Sequence, residues 1–99
     1  MKPIVFAPDA SEELGAAVGW YEEKAAGLGE RFLLHVEDAL QLVAETPAGF
    51  PKWEKAPHFR RAVVQRFPYL VFYREFPDRV EVVAVAHGAR MPGYWLKRR

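Results

Sequence analysis

The fold is decided by residues 60–87, which read RRAVVQRFPYLVFYREFPDRVEVVAVAH. Through this stretch the pattern repeats every two residues, the period at which side chains alternate between the two faces of a β-strand. Phe67-Pro68 interrupts the pattern, and Pro77-Asp78 is typical of a tight turn. The pattern therefore predicts three strands joined as hairpins: Arg60 to Arg66, Tyr69 to Phe76, and Arg79 to His87. The third strand is almost entirely valine and alanine, which indicates a central strand covered on both faces.

The residues before this stretch follow a helical period instead. Apolar side chains recur three or four positions apart from Leu14 to Ala25 and from Phe32 to Val43, so each segment has one apolar face. Glycines lie between the two segments, and Thr46-Pro47 ends the second. We predict helices from Asp9 to about Ala25 and from Glu30 to Glu45, preceded by a short strand at residues 3–6.

The order of these elements, β-α-α-β-β-β, indicates an α+β fold. Strands that follow one another through hairpins form an antiparallel sheet, and the helical hairpin has one apolar side with which to cover it. We predict a small antiparallel sheet packed against an N-terminal helical hairpin, in a single domain that spans residues 1–99. The opposite face of the sheet is then expected to be a free, concave working surface. Residues 89–99 follow the last strand and are expected to form a basic and aromatic tail.

The composition excludes several classes of protein. There is no cysteine among the 99 residues, which rules out a disulfide framework and a cysteine-ligated zinc site. The histidines, His35, His58 and His87, lack the spacing of a metal site, so we predict neither a metal nor a cofactor. There is no apolar stretch of membrane-spanning length, and the first residues do not have the pattern of a signal peptide. We therefore predict a cytoplasmic protein with no membrane association.

The net charge of +1 conceals a strong asymmetry along the chain. Residues 1–50 carry three Lys or Arg against nine Asp or Glu, and residues 51–99 carry eleven against four. A basic half of this kind is typical of a surface that binds phosphates or acidic partners. Acidic helices packed beside a basic sheet would produce the same asymmetry, so charge alone leaves both interpretations open.

Several segments in this order resemble the RelE/ParE toxin superfamily, and within it the ParE-like, plasmid-stabilisation branch. The resemblance covers almost the whole chain, and its most specific segment is Val83 to Trp95, which includes His87-Gly88-Ala89-Arg90-Met91-Pro92-Gly93-Tyr94. The other matching segments are Trp20-Tyr21-Glu22-Glu23, Gly27-Leu28-Gly29-Glu30-Arg31-Phe32, Phe50-Pro51, Arg60-Arg61, Phe67-Pro68-Tyr69 and Tyr73-Arg74.

The resemblance implies the toxin of a type II toxin–antitoxin system, which harms its own cell unless a cognate antitoxin neutralises it. Two target classes occur in the superfamily: ParE-type members poison DNA gyrase, whereas RelE-type members cut mRNA on the ribosome. We predict the gyrase-binding, non-enzymatic class, with a RelE-like endoribonuclease and a non-toxic orphan interaction module as alternatives. A homodimer or a toxin–antitoxin heterotetramer is the expected assembly.

If the chain is a ribonuclease, the residues available for catalysis are His87, Arg60, Arg90 and Tyr94. Metal-free cleavage of RNA needs a general base, a general acid and cations that stabilise the phosphorane. A histidine of ordinary pKa exchanges protons near neutral pH, and His87 has Arg90 three residues away. The alternative, which we favour, is that His87 only caps the end of its strand through a backbone hydrogen bond.

The role of Arg60 is equally open at this point. The resemblance places it on the recurrent strand arginine of the family, where it would meet substrate. A structural role is as well supported, namely an ion pair with a carboxylate of the helical hairpin such as Glu37 or Asp38. Because Arg60 and Arg61 are neighbours on a strand, only one of them reaches a given face.

Two absences favour binding over catalysis. No lysine falls within a predicted strand, and Glu81 lies roughly 20 Å along the strand from His87, too far for acid–base pairing. Trp20 and Trp53 are candidate anchors for a protein partner, since exposed tryptophans are common binding hot spots. The cations predicted to contact the target or a nucleic acid are Arg61, Arg66, Lys97, Arg98 and Arg99.

Overall fold

The computed structural model describes residues 1–90 and 93–98, and it confirms the predicted α+β fold and element order. The strands are β1 (Ile4–Phe6), β2 (Lys52–Trp53), β3 (Ala56–Val63), β4 (Tyr69–Glu75) and β5 (Val80–His87). The helices are α1 (Pro8–Lys24) and α2 (Leu28–Glu45), and short 3₁₀ turns occupy Pro47–Gly49 and Tyr94–Lys97. We call residues 93–98, which include the second of these turns, the C-terminal segment.

The five strands form one sheet in the order β1-β5-β4-β3-β2. The β3–β4 and β4–β5 pairs are antiparallel hairpins, as predicted, but β1 joins β5 in parallel, so the sheet is mixed. Parallel strands need a long connection, because a tight turn reverses the direction of the chain. Strands β1 and β5 meet this requirement, since both helices and three strands lie between them in the sequence. Strand β2 was not predicted from the sequence. It has only two residues, in a proline-rich segment, and two residues are too few to show the alternation of apolar and polar side chains that marks a strand.

The helical hairpin covers one face of the sheet and forms the larger core with it. Buried side chains of α1 and α2, such as Tyr21, Phe32 and Val36, pack against Val71 and Tyr73 of β4. The helices approach closely where they meet. A Cβ atom at Gly29 would lie 2.6 Å from a backbone oxygen of α1, so only glycine allows this distance.

Strand β5 is buried on both faces, as its composition predicts. A bulge shifts its register against β4, so that Phe72 is opposite Ala84 but Tyr73 is opposite Val82. The extra residue, Val83, therefore points to the side away from the helices together with Ala84.

The face of the sheet opposite the helices is not free, which corrects the expectation of an open concave surface. The C-terminal segment folds back over it, and Trp95 is 1% exposed at the centre of a second apolar cluster. Its ring centre lies 4.7 Å from those of Phe59 and Phe72 and 5.3 Å from that of Trp53. The aromatic tail is therefore a second covering layer of the sheet.

Candidate functional site

A surface cavity lies between α1, the start of β4 and the end of β5, beside His87. Its volume is about 560 Å³, and we call it the α1 cavity. Ala16, Ala17 and Trp20 form its helical wall, and Tyr69 and Val85 form its sheet wall. His87, Arg90 and Glu13 also line it, so a mainly apolar hollow has charged and ionisable groups at its margin.

Trp20 gives this cavity an exposed aromatic wall. Its side chain is 53% exposed, and the Lys24 ammonium group lies 4.6 Å from the ring centre. The ring meets Tyr21 edge-on at 5.0 Å, and Tyr21 is itself fixed in the core against Phe32. Trp20 is therefore a large apolar group held on a rigid base and open to a partner.

Trp53 does not share this arrangement. The sequence predicts it as a second partner anchor, but the structure buries it beneath the C-terminal segment, where it packs on Trp95. A Cβ atom at Gly93, whose φ is +83°, would lie 2.7 Å from the indole of Trp53. We conclude that Trp53 has a packing role and is not available as an anchor.

Beneath the cavity, Glu13 of α1 joins the C-terminal segment to the sheet. Its carboxylate accepts hydrogen bonds from the Tyr94 hydroxyl and from both terminal nitrogens of Arg98, the latter at 3.0 Å each. It also accepts the backbone N–H of Val85 at 3.0 Å. We call Glu13, Tyr94 and Arg98 the Glu13 clasp.

The clasp closes an open edge of β5. Strand β1 pairs with β5 only from Val80 to Val82, so the outward-facing backbone groups farther along β5 need other partners. Arg98 donates to the carbonyl oxygen of Val83 at 3.0 Å, and Glu13 accepts from Val85. These side chains therefore replace a missing neighbouring strand.

The charge states within the clasp follow from these contacts. Burial raises the pKa of Glu13, but hydrogen bonds from Arg98, Tyr94 and the Val85 N–H together outweigh burial and leave this pKa below its ordinary value. Burial, followed by the hydrogen bond to Glu13, raises the pKa of Tyr94 to about 12. At neutral pH the carboxylate is thus ionised and the phenol protonated, an arrangement that stabilises the fold and does not favour proton transfer.

His87 lies at the margin of the cavity and makes the backbone hydrogen bond predicted for it. Its Nδ1 accepts the N–H of Ala89 at 3.0 Å, and its ring stands edge-on to Tyr69 at 5.3 Å. A neutral imidazole that accepts at Nδ1 carries its proton on Nε2. The structure thus gives His87 a strand-capping role.

Arg60 is not near the other candidate catalytic residues. Its guanidinium donates to the backbone carbonyl of Phe50 at 2.7 Å, on the helical side of β3. A structural contact is present, but the partner is this carbonyl and not Glu37 or Asp38. Arg90 does adjoin Tyr94, since its guanidinium carbon lies 3.7 Å from the ring centre. The fold therefore brings His87, Arg90 and Tyr94 to one side and places Arg60 elsewhere.

The cations predicted to contact the target have different environments. Arg61, Arg66 and Lys97 are exposed, and Arg66 adopts a left-handed conformation with φ +70° in the β3–β4 loop. Arg98 is only 20% exposed and is held by Glu13 and, at 3.3 Å, by Asp9. Arg99 lies outside the described residues.

Glu13 was missed by the sequence analysis, although a signal was present. It lies three residues after Ala10 and four before Ala17, both of which are buried, so it belongs to the inner side of α1. A carboxylate on the buried side of a helix needs a cationic or hydrogen-bonding partner. That requirement could have directed attention to the arginines of the tail.

Two further features of the described residues bear on function. Within residues 1–90 and 93–98, no group of three or more histidine, aspartate or glutamate side chains is placed to hold a metal ion. No helix in the same part of the chain has the length and apolar character needed to cross a membrane.

Comparisons with known proteins agree with this fold. The family model described as "ParE toxin of type II toxin-antitoxin system, parDE" matches residues 4–92. A solved structure of the chromosomal ParDE toxin–antitoxin system from P. aeruginosa superimposes with a TM-score of 0.74. The two chains are 13% identical, and the alignment covers 88% of this chain and 96% of the other. No curated protein matches the sequence at a significant level.

Proposed function

Since the chain belongs to the ParE toxin family of type II toxin–antitoxin systems, we propose that it inhibits growth by binding DNA gyrase and that a cognate antitoxin neutralises it. The observation that carries this proposal is the α1 cavity with its exposed Trp20, an apolar hollow suited to the side chain of a protein partner. Binding, without catalysis, is the proposed mode of action.

The environments of the candidate catalytic residues support this choice. A general acid or base works best with a pKa near the operating pH, but the pKa of Tyr94 is raised to about 12 and its hydroxyl donates a hydrogen bond to Glu13. His87 uses one ring nitrogen to cap its own strand, and Arg60 is bound to Phe50 on the helical side of β3. These groups would need rearrangement before they could act together on RNA.

The chemistry around the α1 cavity also suggests the nature of the antitoxin segment. Arg90 lies at one margin and Lys24 stacks on Trp20 at the other, so cations flank an apolar centre. An amphipathic segment with apolar anchors and nearby carboxylates would match this arrangement. We propose that such a segment of the antitoxin binds here.

Replacement of His87 with alanine is expected to leave most of the toxicity intact, because His87 lies at the margin of the α1 cavity and Trp20 supplies its exposed apolar wall. The side chain is exposed, and its hydrogen bond to Ala89 is replaceable by water. Growth inhibition on induction would be compared for the wild type and the variant, with circular dichroism to verify the fold. Because His87 also lines the α1 cavity, loss of toxicity in a folded His87→Ala protein would favour the ribonuclease if the wild type cleaves transcripts and the variant does not.

Replacement of Trp20 with alanine is expected to weaken antitoxin binding by roughly thirtyfold, the effect of losing about 2 kcal/mol at an interfacial tryptophan. Isothermal titration calorimetry against the antitoxin would measure the change. Leu34→Ala is a suitable control, because Leu34 is also exposed but lies on α2, outside the cavity. Equal affinities for wild type and Trp20→Ala would show that the antitoxin binds elsewhere.

The proposed target is tested with purified components. The protein is added to gyrase, ATP and relaxed plasmid, and both supercoiling and cleaved DNA are measured. Inhibition of supercoiling with accumulation of cleaved plasmid is expected. Unaltered gyrase activity at a protein concentration that stops growth in cells would contradict the proposal.

A further inference from the structure

The charge asymmetry of the sequence corresponds to two sides of the folded molecule. All nine acidic residues among residues 1–50 lie on α1 and α2, where Lys24 and Arg31 are the only lysine and arginine. The opposite side is the face of the sheet that the C-terminal segment covers, and we call it the outer face. Several cations from the basic half of the chain lie around this face.

Two cavities on the outer face are lined by basic side chains. The first has a volume of about 170 Å³ and the second about 320 Å³, and both border the C-terminal segment. No aspartate or glutamate among the described residues lines either cavity. The basic lining residues are Arg61, His87 and Arg90 in the first, and Lys55, His58, Arg74 and Arg98 in the second.

Arg61 and Lys55 are the most accessible of these cations. Arg61 lies opposite Phe72 in the β3–β4 pair, and Phe72 packs against Trp95, so the Arg61 side chain is on the outer face. Lys55 lies in the turn between β2 and β3. Both residues are exposed, and neither forms an ion pair with another described residue. Their charges are therefore available to a ligand.

The two other arginines of the second cavity differ in what they can still bind. Arg98 is held in the Glu13 clasp and donates from its terminal nitrogens within it. Arg74 donates from Nε to a carboxylate of β5 at 2.9 Å, but its terminal nitrogens donate to no described residue. A guanidinium fixed at Nε presents those two nitrogens in the fork geometry that matches a phosphate.

The aromatic side chains of the outer face are closed to a ligand. Trp53, Phe59 and Phe72 are each less than a tenth exposed, and Trp95 is 1% exposed. Proteins that bind single-stranded RNA or DNA stack the bases on accessible aromatic rings. Contacts with the phosphates of a duplex require only accessible cations. The outer face therefore suits a duplex better than a single strand.

We propose that the outer face binds the phosphate backbone of duplex DNA through Lys55, Arg61 and Arg74. The inference rests on the proposed function, since gyrase acts on duplex DNA and holds it close to any protein bound to the enzyme. Three phosphate contacts bind weakly alone, but a toxin bound to gyrase meets the DNA at a high effective concentration. The acidic helices, with the α1 cavity, then face the protein, and the outer face contacts the DNA.

Fluorescence anisotropy with a short labelled duplex tests this surface in the absence of gyrase. The affinity of the wild type is expected to fall with salt at a logarithmic slope of roughly −3, the value for three phosphate contacts. Arg61→Glu and Lys55→Glu each remove one contact, which weakens binding by roughly thirtyfold at about 0.02 M salt. Arg31→Glu is the control, because it makes the same charge change at an exposed position on α2.

The proposal is supported if both outer-face variants bind DNA more weakly while Arg31→Glu retains nearly the wild-type affinity. Equal losses in all three variants would overturn it, because net charge alone would then explain binding. No binding by the wild type at low salt would also overturn it, and tighter binding of a single-stranded RNA of equal length would assign the face to RNA. Since gyrase is absent, DNA binding without inhibition of supercoiling would refute the proposed target and leave the DNA surface in place.

Discussion

Replacement of Trp95 with alanine is expected to destabilise the protein by about 3–5 kcal/mol, the usual cost of truncating a buried aromatic side chain. Trp95 is 1% exposed and contacts Trp53, Phe59 and Phe72. The loss is a large part of the 5–15 kcal/mol that typically stabilises a small domain. It would also release the C-terminal segment from the face of the sheet that this segment covers.

Urea unfolding measures this loss: the variant is expected to unfold at a lower urea concentration, while the dependence of the unfolding free energy on urea concentration stays the same. Trp95→Phe is the matched control and is expected to be much less harmful. Its ring fills most of the same space, and it lacks the indole N–H, which is buried without a hydrogen-bond partner among the described residues. If Trp95→Ala unfolds at the wild-type midpoint, the C-terminal segment does not cover the sheet in solution.

Replacement of Glu13 with alanine is expected to cost about 2–3 kcal/mol, since it removes an acceptor of charge-assisted hydrogen bonds at a mostly buried site. Among the described residues, Arg98 would keep its contacts with Asp9 and the carbonyl of Val83, while the Val85 N–H would lose its partner. Glu12→Ala is the matched control, because Glu12 is the exposed neighbour on the same helix. Equal unfolding midpoints for the two variants would contradict a stabilising role for the clasp.

The clasp also predicts how stability depends on pH. Since the folded-state pKa of Glu13 is below its unfolded value, Glu13 contributes its full stabilisation above the unfolded pKa. That contribution is lost as the pH falls from about 4.3 through the lower folded-state pKa. Glu13→Gln lacks this component, so the stability difference between wild type and variant is expected to shrink as the solution is acidified. A constant difference across this range would contradict the assigned charge state.

Much of the fold follows from local patterns in the sequence. Phe67-Pro68 and Pro77-Asp78 mark the turns between β3, β4 and β5. Apolar side chains that recur every three or four residues mark the two helices, and glycines mark the break between them. These signals act over a few residues, so a sequence displays them directly. The parallel pairing of β1 with β5 joins segments that lie more than 70 residues apart, which no local pattern encodes.

The candidate site was less predictable, because its parts come from distant segments. Trp20 was identified by residue type, but the cavity beside it depends on how α1 packs over β5. Glu13 and Arg98 are 85 residues apart, and their contact requires the C-terminal segment to fold back across the sheet. The same fold-back buries Trp53, which residue type alone suggested as an anchor. Sequence patterns therefore indicated which residues were unusual but not which of them meet.

We propose that this ParE-family protein harms cells by binding gyrase and not by cutting RNA. Expression from a tightly controlled promoter in bacteria, with DNA and mRNA followed in the same culture, tests it most directly. We expect double-strand breaks and induction of the SOS response within the time of growth arrest, while primer extension shows intact transcripts. Cleaved transcripts without DNA breaks would contradict the claim and return His87, Arg90 and Tyr94 to consideration as catalytic groups. Unimpaired growth at full expression would contradict it as well and favour a non-toxic interaction module.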